Sequence, residues 1–198
     1  MATIRLASPE DSTECQEIYA PYVRDTPISF ELTPPTAETF ENRIERTLDT
    51  LPWLIFESGD DILGYAYAGQ YRARDAYQWV IESSVYVDGD HHRRGIACGL
   101  YTSLFEILRL QGYFAVLAGM TLPNPSSVEF HRAMGFEPIG VYEDIGYKDR
   151  QWHDVEWMQR RLRPPADDPE PPVSLHELED GLDEALRLGV EEIEVDSD

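Results

Sequence analysis

Tyr113–Met120, YFAVLAGM, is an apolar run of eight residues bounded by Gly112 and by the polar, Pro-containing stretch from Thr121. It is short for a helix and shows no alternation, so it reads as a strand buried on both faces. A strand of that kind needs a packed layer above it and another below. The fold class that meets this demand is α/β, a sheet sandwiched between helices.

The flanking residues supply both components. TIRLAS (3–8) alternates as a strand, and Ser8 caps a helix starting near Pro9 that turns Cys15, Ile18 and Tyr19 inward. PISFELTPP (27–35) is extended, and Thr36 opens a second helix running to Leu48. WLIFES (53–58) and ILGYAYAGQY (62–71) form a hairpin around Gly59, Asp60 and Asp61. QWVIESSVYVD (78–88) is a long strand. Residues 95–111 place Ile96, Leu100, Leu104, Ile107 and Leu108 at helical spacing, with Gly112 as the stop. Pro125 to Ala133 is a short helix, and 136–142 and 152–162 are the last strands. After Leu162 the composition changes. Residues 163–173 form a Pro-rich acidic linker. Residues 174–198 open with a capping box, Ser174 and Glu177, and carry leucines at 175, 178, 182 and 186, a single amphipathic helix that Gly181 weakens; it reads as docking on its own domain or on a dimer mate, with a partner-binding helix as the alternative. The domain proper therefore spans 1–162.

The net charge of -22 is spread over the whole chain. Residues 164–198 carry 13 acidic side chains and one basic, and the rest still carries 25 against 15. Lys148 is the only lysine. Such a surface fits a cytosol of very high salt, where screening over roughly 3 Å at 1 M removes self-repulsion, so a halophilic protein is expected. The same acidity opposes sequence-independent nucleic-acid binding. No segment has the length of a membrane span, and the N-terminus lacks an apolar leader core. Two distant cysteines, Cys15 and Cys98, suggest neither a disulfide framework nor a zinc site, and a cytoplasmic location is expected.

The stretch DGDHHRRGIACG (88–99) puts Arg93, Arg94 and Gly95 at a helix N-terminus, where cations oppose the helix dipole. An anion held between them would resolve the conflict. Helical N–H groups, two guanidinium groups and a glycine that permits close approach suit a pyrophosphate. The competing reading is a surface turn whose arginines pair with nearby acids. Neither a nucleoside-triphosphate loop nor a dinucleotide fingerprint is present.

The succession of long strand, HRRGIA (92–97), helix, strand, and NPSSVEFHRAMGF (124–136) resembles the GNAT superfamily of acetyl-CoA-dependent N-acetyltransferases. YRARDAYQWVIESSVYV (71–87) and residues 123–162 are similar to its phosphinothricin N-acetyltransferase branch. The resemblance covers about residues 2–162 and leaves the tail unexplained. It implies a mixed, mostly antiparallel sheet flanked by helices, with acetyl-CoA as co-substrate and no metal. It places coenzyme contacts at Val85, Tyr86, Val87, Arg93, Arg94, Gly95, Ile96, Ala97, Cys98 and Asn124. His92 stands where the pattern prefers Arg or Gln.

Acetyl transfer to an amine requires a base, because the amine is protonated near pH 7. The resemblance implies Glu82 in that role, assisted or oriented by His131. Arg72, Arg74 and Tyr77 would hold the carboxylate or phosphinate of a small amino acid acceptor. Each has a bland alternative: Glu82 paired with Arg72 or Arg74, His131 in the core, Asn124 as a helix cap. Tyr101 is an acid for the leaving thiolate or a packed aromatic. Direct transfer, in which the amine itself attacks the thioester, forms no acyl-enzyme and leaves Cys98 no role as a nucleophile. The rival functions are a protein N-terminal or lysine acetyltransferase and a non-catalytic acetyl-CoA-binding module. Branch relatives imply a homodimer.

Overall fold

The computed structural model describes residues 2–178 and 180–193. Seven strands, β1 (Ala2–Leu6), β2 (Trp53–Ser58), β3 (Asp61–Gln70), β4 (Val80–Val87), β5 (Ala115–Thr121), β6 (Glu137–Lys148) and β7 (Gln151–Arg161), form one sheet. Their spatial order is β1-β2-β3-β4-β5-β7-β6. Every neighbouring pair is antiparallel except β4 and β5. The exception follows from the intervening α3 (Ile96–Gln111), since only a long crossover returns the chain parallel to itself. The sheet is therefore mixed and mostly antiparallel, as expected.

Two helical layers cover it. On one face α1 (Ser12–Arg24) and α2 (Ala37–Leu48) bury Cys15, Ile18, Tyr19, Phe40 and Ile44 against Trp53, Ile55 and Tyr65. On the other, Ile96, Leu100, Leu104, Ile107 and Leu108 of α3 pack on Ala66, Ala68, Ile81, Val116 and Ala118. The continuous apolar strand is β5, buried at every position but Gly119.

The pairing of β4 with β5 is short. It joins Val80, Ile81 and Glu82 to Ala115, Val116 and Leu117, and stops there. Beyond Glu82 the two strands part, although β4 stays paired with β3 through Val87. A wedge opens inside the sheet, with Glu82 at its apex.

Two elements differ from expectation. The expected strand 136–142 runs on to Lys148 as β6, with shifts of register between Pro138 and Gly140 and between Tyr142 and Gly146. Asp149 and Arg150, both at positive φ, make a two-residue turn into β7. That geometry is ordinarily signalled by Asn-Gly or Asp-Gly, which is why Asp-Arg gave no hairpin signal. The C-terminal helix is also broken: Leu175–Glu177 is a single 3-10 turn, and α5 (Leu182–Glu191) begins only after Gly181 at φ 92°. Leu175, Leu178, Leu182 and Leu186 nevertheless all pack into the α3-side core. The linker is fastened too. Trp79 Nε1 donates to the Glu170 carbonyl at 2.9 Å, and Val173 N to that of Gln111 at 2.8 Å. Helices α5 and α3 cross at Gly99 and Gly189, where a Cβ on Gly189 would overlap the Gly99 carbonyl and Ser103 Oγ.

Candidate active site

The wedge between β4 and β5 is the floor of a cavity of about 730 Å³. Ser83 to Val87 form one wall and Ala118 to Thr121 the other. From Ser83 onward β4 has no strand beside it on the β5 side, so this wall is a free sheet edge inside the molecule. Such an edge suits an extended ligand bearing amide groups, which completes the ladder as an added strand would.

At the wide end the cavity meets the start of α3. Arg93 lies at φ 62° and Gly95, the residue preceding the helix, at φ 79°. A left-handed conformation at the non-glycine Arg93 is strained backbone, a feature that clusters at ligand clamps. No side chain caps α3, so its first N–H groups are offered to the cavity. Arg93, Gly95, Ile96, Ala97 and Cys98 line it; Arg94 is exposed beside it and is not part of the lining. Among the described residues neither arginine makes an ion pair. The reading of a turn neutralised by neighbouring acids thus gains nothing from the geometry. His92 is exposed and lines the cavity, and its Nε2 lies 2.8 Å from Tyr22 Oη and 3.1 Å from the Val87 carbonyl, tying the loop to β4 and α1. Asn124, on the cavity wall, accepts from Ser127 N at 3.2 Å and caps α4 (Pro125–Ala133). It is at once a helix cap and a lining residue.

Successive strand residues face opposite sides of a sheet. Glu82 shares its face with its cross-strand partner Gly69 and with Leu117, Tyr67, Tyr86 and Trp157. A Cβ on Gly69 would meet nothing within 4 Å, so open space lies beside the carboxyl. Gly119 matters for the reverse reason, since the Trp157 indole lies against the place a side chain would occupy. Desolvation pushes the Glu82 carboxyl above the usual carboxylate range, and the positive charge of Arg72 opposes the shift. Arg72 stacks over Tyr71 and Tyr77, with 4.9 and 5.3 Å to the ring centroids. Glu82, Arg72, Arg74 and Tyr77 lie outside the cavity lining, the last three on the segment leading into β4, and among the described residues Arg74 makes no ion pair.

The opposite face holds a different device. Tyr101 Oη, buried on α3, lies 3.2 Å from the donor Ser83 Oγ and 3.3 Å from His131 Nε2. His131 Nδ1 lies 2.8 Å from the Ser127 carbonyl, which leaves Nε2 as the acceptor of the Tyr101 proton. Desolvation lowers the His131 pKa, opposed by the Ser127 bond, and the ring is neutral at pH 7. Burial raises the Tyr101 pKa, so its hydroxyl stays protonated. Glu82 and His131 share no hydrogen bond. They face opposite sides of the sheet, because Glu82 and Ser83 are neighbours on one strand. Burial, helped by the charge of Glu192, raises the Cys98 thiol, which holds it in its unreactive form.

The fold thus brings Val85, Tyr86, Val87, Arg93, Gly95, Ile96, Ala97, Cys98, Asn124 and His131 around one cavity. Sequence reasoning missed Ser83, Tyr22, Ile28 and Trp157. A serine beside Glu82 was the one visible signal; the others depend on packing between distant segments. Among the described residues no cluster of three or more His, Cys, Asp or Glu could hold a metal ion.

These features can be set beside known proteins. Residues 4–157 match the Acetyltransferase (GNAT) domain family. Phosphinothricin N-acetyltransferase of Streptomyces viridochromogenes is 38% identical over 82% of this chain and 89% of its own length. L-methionine sulfoximine/L-methionine sulfone acetyltransferase of Salmonella typhimurium is 30% identical over 81% and 94%. A GNAT superfamily phosphinothricin acetyltransferase from Sinorhizobium meliloti, crystallised with AcCoA, superposes with a TM-score of 0.80 at 29% identity, covering 88% of this chain and 98% of the other. The free strand edge, the uncapped α3 and the wedge that joins them are accordingly the parts of a GNAT domain, and the chain belongs to the GNAT acetyltransferase family.

Proposed function

We propose that the protein transfers the acetyl group of acetyl-CoA directly to the α-amine of a small amino acid or analogue of the phosphinothricin or methionine sulfone kind. One observation carries the reading: the free edge of β4 leads from the uncapped α3 to a carboxyl whose pKa burial has raised. Acetyl-CoA supplies the activated thioester. The chain does the rest. The backbone of Val85, Tyr86 and Val87 pairs with the pantetheine arm, the α3 N–H groups with Arg93 and Arg94 meet the pyrophosphate, and Asn124 lines the arm's path. Glu82 takes a proton from the incoming ammonium. Arg72, Arg74 and Tyr77 draw in the carboxylate or phosphinate from outside the wedge. Tyr101 Oη, held by His131 Nε2, retains a proton on the far face. The amine is thus relieved of its proton on one side while a donor waits on the other.

The test is coenzyme thiol release in multimolar KCl, with phosphinothricin, methionine sulfone, other amino acids and N-terminal or lysine peptides as acceptors. Release with the first two alone supports the proposal. Release with peptides would favour a protein acetyltransferase, and acetyl-CoA binding without release, a non-catalytic module. Glu82→Gln should lower kcat by about 10²-fold or more while acetyl-CoA binding persists; unchanged turnover removes Glu82 from the role.

We further infer a cytoplasmic, halophilic homodimer. The pool of acetyl-CoA supports the location, and the charge of -22 supports the salt. The β6–β7 hairpin exposes Ile139, Val141, Tyr142, Ile145, Tyr147 and Trp152, an apolar surface that a second copy would cover.

A further inference from the structure

The chain's only lysine is buried. Lys148, 4% exposed at the end of β6, donates from Nζ to the carbonyls of Val23 at 2.7 Å, Thr26 at 2.9 Å and Ser29 at 2.7 Å. No carboxylate within ion-pair distance neutralises it among the described residues. Its partners are the C-terminal end of α1, where the helix dipole favours a cation, and the loop that follows. Three carbonyls around one point suit an ammonium with three rotatable donors; the planar fork of arginine does not fit. In a chain whose other 15 cations are all arginine, the single lysine sits where the geometry asks for one.

The loop it holds, residues 25–31, lies on the Glu82 face. Ile28 lines the cavity, and its carbonyl accepts from Thr121 Oγ1 of β5 at 3.4 Å. Ser29 Oγ bonds Tyr19 Oη at 2.6 Å, and Tyr19 packs edge-on against Tyr86 of the cavity wall. Glu31, at the end of the loop, is ion-paired to Arg43 of α2. Phe30 fills the space above Gly146, which has no side chain, and neighbours His153, whose Nε2 bonds the Lys148 carbonyl at 3.1 Å. The end of the β6–β7 hairpin is thus clamped onto the loop from two directions, and the loop walls the side of the wedge where the amine would enter.

We infer that Lys148 is a positioning residue for the acceptor: its ammonium fastens loop 25–31 over the Glu82 face and sets the acceptor subsite, with no part in holding the coenzyme. The inference rests on the acceptor entering on that face, as in the function proposed above. Lys148→Met keeps the length of the stem and removes all three bonds. Hydrogen exchange of the full-length variant should accelerate at amides 26 and 28–31 by about tenfold or more and stay unchanged at residues 89–98. The acceptor KM for phosphinothricin should rise by about tenfold, with kcat and acetyl-CoA Kd within about twofold of the parent. Phe30→Ala, which loosens the clamp and spares the ammonium, should reproduce the pattern in weaker form and serves if Lys148→Met does not fold. Exchange unchanged at 26–31, or a rise in acetyl-CoA Kd equal to that in acceptor KM, overturns the inference. If the parent enzyme releases no thiol with phosphinothricin, the substrate reading fails; the exchange at 26–31 against 89–98 then decides on the latch alone.

Discussion

Glu82 and Ser83 are adjacent in the chain and serve opposite faces of the sheet. The strand geometry that separates them puts Glu82 on the face where the acceptor is proposed to enter and Ser83 in the bonded set with Tyr101 and His131. The raised Glu82 pKa has two consequences of defined sign. As the base must be ionised, kcat/KM should fall on acidification through a pKa above the usual carboxylate range. Arg72→Ala removes the opposing positive charge and should move this limb to higher pH; a limb that stays in place separates Arg72 from Glu82. A carboxyl with a raised folded-state pKa binds its proton better in the native chain, so its ionisation lowers stability as pH rises through that value. Glu82→Gln should therefore melt higher than the parent at pH 7, and the difference should vanish in acid below the unfolded-state pKa. Tyr101→Phe tests the other face: it should lower kcat by about tenfold, with Glu82's acid limb unmoved. A shifted limb would show that the two faces are coupled after all.

The elements were legible where the local chemistry is strong. Gly112, at φ 96°, ends α3, and Asn124 caps α4. The apolar run 113–120 became the doubly buried β5. Legibility failed where a tertiary partner decides: β6 extends through two shifts of register because β7 holds it, and α5 starts late because Gly181 adopts φ 92°. The leucine stripe of the tail pointed to docking on its own domain or on a dimer mate, but the place of docking was not visible, since that depends on Gly99 meeting Gly189. Gly189→Ala places a methyl group against the Gly99 carbonyl and Ser103 Oγ. Overpacking of this kind costs about 1–3 kcal/mol, and the midpoint of urea unfolding should fall accordingly. Gly99 lies in the first turn of α3, so acetyl-CoA affinity should weaken as well. An unchanged midpoint would mean that α5 does not rest on α3 in solution.

For the whole molecule the governing quantity is charge. A body and a tail that are both acidic repel themselves, and the repulsion weakens progressively as salt screens it. The melting temperature should rise steeply from low to multimolar KCl, and sedimentation in the same buffers should show dimer gaining on monomer as salt increases. Equal melting at both extremes would refute adaptation to salt. Trp152→Glu, at a position 61% exposed on the apolar hairpin, should yield a monomer with an unaltered melting curve for the domain. A dimer that persists would place the interface elsewhere.

Short-range chemistry is written in the residues themselves. Periodicity, glycine stops and side-chain caps specify helices and strands within a few residues, and an apolar strand demands cover on both faces. The motifs from Glu82 to His131 were recognised through their resemblance to the GNAT superfamily, not through periodicity or caps. Packing of the folded chain settled the rest: where β4 and β5 part, which face each side chain takes, and that the lone lysine closes on three carbonyls, one at the end of α1 and two in the loop after it, more than a hundred residues away. Those properties arise from contacts between segments distant along the chain, and no local pattern of residues records them.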